Sequence, residues 1–70
     1  MYVWDIKLYM KNGKELIGYV ENEFCNSTDV AKVLMEGESN SFKGIHGIKE
    51  DSNLLFKLGE IVAIEITVHY

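Results

Sequence analysis

Apolar residues take every second position at the start of the chain. Tyr2, Trp4, Ile6, Leu8 and Met10 occupy the even places, and Val3, Asp5, Lys7 and Tyr9 the odd ones. Side chains of a strand alternate between two faces, so this pattern predicts a strand with one buried face. Asn12-Gly13 follows, and both residues tolerate the positive φ of a hairpin turn. A second alternating stretch runs on to Glu21. The first third of the chain therefore predicts a β-hairpin.

The distribution of polar groups selects its register. A two-residue turn pairs Leu8 with Ile17 and Trp4 with Glu21, setting a carboxylate on the apolar face. A three-residue loop, with Gly13 in the left-handed conformation, pairs Leu8 with Leu16 and Trp4 with Val20. A slip of one residue exchanges the faces, so the three-residue loop is expected. Gly18 then lies opposite Ile6, where a missing side chain lets the strand bend. The other face of the hairpin carries Lys7, Tyr9, Ile17 and Tyr19 among Asp5, Glu15 and Glu21. Either it is a solvated face with a few apolar groups, or a helix or a partner covers it.

Further along, the period changes. Val30, Val33 and Leu34 recur at helical spacing between Asn26 and Gly37. Asn26 or Ser27 can cap the first turn, Asp29 suits the positive end of the helix dipole, and Gly37 is a natural end. A helix this short needs a sheet to pack on. A strand through Val33–Met35 is the alternative. Phe42–Ile48 reads as an irregular strand weakened by two glycines, Leu54–Leu58 as a short strand, and Gly59-Glu60 as a break. The last strand runs from Ile61 to Tyr70, with Val62, Ile64, Ile66 and Val68 on one face. Ile61, Ala63, Glu65, Thr67 and His69 form the other. The fold class is thus α+β and β-rich, in the order β-β-α-β-β-β. It is expected to be a strongly bent antiparallel sheet or small open β-barrel, with one short helix packed on it. Residues 1–70 form a single domain.

Length and composition sharpen this picture. A chain of 70 residues buries only about 60% of its unfolded surface, so a small domain gains from a disulfide, a metal or a second subunit. Cys25 is the only cysteine, which rules out an internal disulfide. Self-association into a homo-oligomer is expected on these grounds. The apolar runs are too short to span a membrane, and the start lacks the basic region and long apolar segment of a signal peptide. A cytoplasmic location is the expectation. Net charge is −4, and all seven basic residues are lysine. Arginine supplies most bidentate phosphate and guanine contacts, so its absence disfavours nucleic acid.

Candidate chemistry is sparse. Cys25 lies just before the expected helix, where a thiolate is favoured, but no base is spaced to serve it. His46 and His69 stand alone. Gly44-Ile-His-Gly47 lacks the phosphate-loop pattern and its lysine. Glu36, Glu38, Glu50 and Asp51 lack the regular spacing of a calcium loop. No catalytic, metal or cofactor site is expected.

The hairpin resembles the first motif of the Sm-like family, which includes bacterial RNA chaperones. That motif runs apolar-x-apolar, Asn/Asp-Gly, apolar-x-Gly-x-apolar. Here Ile6, Leu8, Asn12, Gly13, Leu16, Gly18 and Val20 match it, with Glu21 also in place. Phe56-Lys57, before a final apolar strand, is similar to the start of the second motif of the bacterial branch. Leu58 follows where that branch carries an RNA-contacting pair, and the alternating pattern begins where the family has a helix. The resemblance implies a strongly bent sheet or SH3-like barrel, with ring-like or edge-to-edge association.

Three functional expectations result. The first is a non-catalytic protein-binding module that self-associates, as an accessory protein of a mobile element or phage would. Its surface is Tyr9, Ile17 and Tyr19, flanked by Lys7 and Glu15. The second is an Sm-like RNA binder using Lys11, Lys14 and Lys57. The third is an acidic inhibitor or decoy of a nucleic-acid-binding enzyme, motivated by size and charge.

Overall fold

The computed structural model describes residues 1–69. Along the chain come β1 (Tyr2–Met10), β2 (Glu15–Asn22), α1 (Ser27–Leu34), β3 (Phe42–Gly47), β4 (Asn53–Lys57) and β5 (Ile61–Val68). A single 3-10 turn, Leu58–Glu60, joins β4 to β5. The strands form one antiparallel sheet in the order β4-β3-β2-β1-β5. The sheet is not closed, and β4 and β5 are its two edges.

The hairpin has the expected register. Leu8 faces Leu16, Ile6 faces Gly18 and Trp4 faces Val20. The Gly13 N–H donates to the Met10 carbonyl at 3.0 Å, and the Met10 N–H donates to the Lys14 carbonyl at 2.9 Å. Gly13, at φ +86°, absorbs the left-handed turn that this loop requires. The Asn12 side chain accepts from the Lys14 N–H at 3.0 Å and pins the loop from inside.

The helix forms where its caps predict. Asn26 Oδ1 accepts from the Asp29 N–H, and Asn26 Nδ2 donates back to Asp29 Oδ2, each at 3.0 Å. Val30 and Leu34, one turn apart, are buried, whereas Val33 is about half exposed. Residues 33 and 34 are therefore helical, which excludes a strand there. The helix ends at Leu34 with Met35 as its cap, before Gly37. It packs on the face of the sheet formed by Trp4, Ile6 and Leu8, and these join Val30, Leu34, Ile45, Phe56 and Leu58 as the core. The Trp4 indole N–H donates to the Phe24 carbonyl at 3.2 Å. The buried indole is thereby satisfied and ties β1 to the segment leading into the helix.

Three expectations about the last two strands are corrected. Val62 does not share a face with Ile64, Ile66 and Val68; it is 68% exposed. Tyr9 pairs with Ala63 but Met10 with Ile61, so Val62 is the extra residue of a bulge. A bulge sets two residues against one on the partner strand and so reverses the alternation. Ile61, not Val62, packs against the core. Leu58 belongs to the 3-10 turn rather than to β4. The strand ends at Val68, and Tyr70 lies outside the described residues.

β2 and β3 meet over two residue pairs only, Gly18 with Gly47 and Tyr19 with His46. A side chain at Gly18 would run into the carbonyl oxygen of His46. The glycine thus permits close backbone contact at this junction, which divides the sheet into a β2-β1-β5 part and a β4-β3 part.

Candidate protein-binding face

Strand alternation sends Tyr9, Lys7 and Asp5 of β1 away from the core, together with their neighbours on the flanking strands. On β2 these are Glu15, Ile17 and Tyr19, set opposite Tyr9, Lys7 and Asp5. On β5 they are Ala63, Glu65 and Thr67, in the same order. The helix lies on the other face, so among the described residues no element covers this one. Of the expectations for it, a solvated face or one covered by a helix or a partner, cover by the chain's own helix is overturned. The helix follows its apolar stripe to Trp4, Ile6 and Leu8 instead.

The five residues singled out from sequence stand together here. Ile17 is 47% exposed, and Tyr9 and Tyr19 are half-buried. Lys7 sits directly opposite Ile17, reaches Glu15 at 3.4 Å, and holds its ammonium 5.4 Å from the centre of the Tyr9 ring. The Glu15 carboxylate, through hydrogen bonding and then charge, raises the Lys7 pKa above the ordinary lysine value, and Tyr9 adds to the effect. At the end of the face Asp5 meets His69 at 3.0 Å, and the His69 N–H donates to the Val3 carbonyl at 2.9 Å.

Three residues extend the face beyond those expected. His46 stacks on Tyr19, ring centres 5.0 Å apart. Leu55 is 70% exposed and Phe42 64%. Phe42, Gly44 and His46 alternate with the buried Ile45, and Leu55 pairs with Gly44. The period-two signal was present in the sequence, but two glycines within six residues obscured it.

Of the lysines of the RNA reading, two share the β1–β2 loop and the third lies on β4. Lys11 and Lys14 flank the tip of the hairpin. Lys57 ends β4, its ammonium 5.1 Å from the Phe42 ring centre. Cys25 is exposed and precedes the helix cap. Among the described residues no cluster of three acidic, histidine or cysteine side chains could hold a metal ion. Among the described residues no helix is long and apolar enough to cross a membrane.

Compared with protein-family models, with curated proteins and with solved structures, the chain matches none.

Proposed function

We propose that this chain is a non-catalytic protein-binding module that associates with a second copy of itself through the face bearing Tyr9, Ile17 and Tyr19. The observation that carries this reading is the placement of the helix. It buries one side of the sheet and leaves a tyrosine- and isoleucine-bearing side bare. Tyrosine is favoured in interfaces because one rigid ring offers both apolar area and a polar tip.

Self-association suits the charges of this face. Copies of a chain with net charge −4 repel one another overall. Lys7 and Glu15, however, place both signs side by side. In a two-fold contact each residue meets the same surface turned round, so each lysine can face the partner's carboxylate. The finer fold reading, a small open barrel of SH3-like or Sm-like kind, draws support from the narrow β2–β3 junction and the hairpin register. RNA binding draws no comparable support: Lys11 and Lys14 share the hairpin loop, but Lys57 lies on β4 with its ammonium over the Phe42 ring.

The test is the double substitution Tyr9→Ala with Tyr19→Ala, measured by light scattering. The expected result is a fall in mass to that of one chain while the circular dichroism stays that of a folded protein. An unchanged mass above one chain would place the contact elsewhere.

A further inference from the structure

Beyond the Tyr19–His46 pair, β2 and β3 separate, and their main-chain groups lose the ladder. The phase of hydrogen bonding makes this specific, because bonding positions alternate along an antiparallel strand. The Met10 N–H donates to Lys14, so even positions of β2 face β1 and odd positions face β3. The Gly47 N–H donates to the Ser52 carbonyl at 2.8 Å, so odd positions of β3 face β4 and even ones face β2. Tyr19 and His46 satisfy both conditions and pair. The next such positions are Glu21 and Gly44, and the ladder does not reach them.

Between them lies a groove of about 550 Å³ lined by Val20, Glu21, Gly44, His46, Asn53 and Leu55, with Ile45 behind. Gly44 contributes bare backbone to its floor. Glu21 supplies a carboxylate on one side and Leu55 an exposed apolar group on the other.

We infer that this groove binds an extended, lysine-bearing segment of another protein. An extended peptide presents donors and acceptors in ladder order and adds to a free strand edge through its main chain. Glu21 is exposed at the rim, and the chain is acidic overall, so a cationic side chain is the complement. Leu55 receives an apolar side chain of the same segment. The groove adjoins the face of the self-association reading and shares His46 and Leu55 with its extension, while Tyr9 and Ile17 do not line it.

The experiment is a titration of the isotope-labelled full chain, followed by amide resonances. The probes are a capped hexapeptide of alternating lysine and valine and its glutamate counterpart. Saturable shifts centred on Glu21 and Gly44 are expected with the lysine peptide, and binding at least tenfold weaker with the glutamate one. Glu21→Gln, an exposed change that folding tolerates, is expected to weaken the lysine peptide about threefold. Equal shifts from both peptides, shifts centred elsewhere, or no saturable shift at millimolar peptide would overturn the proposal. Because oligomeric mass is a separate readout, failure here leaves the self-association test standing on its own result.

Discussion

Gly18 lies against the carbonyl oxygen of His46, so close that a β-carbon at position 18 would overlap it. The next obstacle is the Ile45 side chain, whose Cδ1 would be 2.8 Å away. One obstacle is backbone, which yields little, so the two halves of the sheet owe their junction to one absent side chain.

Gly18→Ala is therefore expected to lower stability by about 1–3 kcal/mol, as overpacking does. For a domain whose total stability is roughly 5 kcal/mol, that is a large share. Gly13→Ala is the informative contrast. No atom lies within 4 Å of its would-be β-carbon, so only the left-handed backbone is penalised, at about 1–2 kcal/mol. Urea unfolding of both variants checks the difference. The exchange protection of amides around the Tyr19–His46 pair should fall in the Gly18 variant alone.

Trp4→Phe removes the indole N–H and leaves the Phe24 carbonyl without that donor. A lost hydrogen bond of this kind costs about 0.5–1.5 kcal/mol, and the smaller ring adds a cavity term. The expected outcome is a destabilised but folded chain, with faster amide exchange between Phe24 and Asn26. Uniform loss of protection instead would mean that Trp4 acts only as core volume.

The Lys7–Glu15 pair makes a pH prediction. The folded-state pKa of Lys7 is raised, so whatever stability the pair contributes is fully present below the unfolded lysine value. It is lost as pH climbs through the raised folded value. The effect thus belongs to the strongly alkaline range, and between mildly acidic and neutral pH Lys7 adds no slope. Both side chains are substantially exposed, and such pairs contribute little. Titration of the Lys7 ammonium by NMR should show its pKa fall toward the ordinary lysine value in Glu15→Gln.

The hairpin was legible because three signals agreed there. Strict alternation fixed the faces of β1, Asn12-Gly13 fixed the turn, and keeping Glu21 off the core face fixed the register. The helix was legible from Asn26, Asp29 and the spacing of Val30 and Leu34. Which face of the sheet it would cover was not, since that depends on how the chain returns after β2. Val62 was misplaced because a bulge carries no period of its own, and the alternation of Ile61–Val68 looks unbroken in sequence. The groove beside Gly44 was invisible because it arises from two strands diverging. The five residues of the proposed face were found because strand parity alone keeps Tyr9, Ile17 and Tyr19 out of the core.

Ile17 tests the proposed self-association most directly. It is the half-exposed aliphatic residue of the face and stands opposite Lys7. Ile17→Lys sets a second positive charge beside the first at little cost to folding, because the position is already in contact with water. The measurement is molar mass by light scattering across a hundredfold range of concentration, for the natural chain and for this variant. The prediction is a mass that rises above one chain for the natural protein and stays at one chain for Ile17→Lys. A natural protein that remains a single chain throughout, or a variant that assembles as readily, would contradict it.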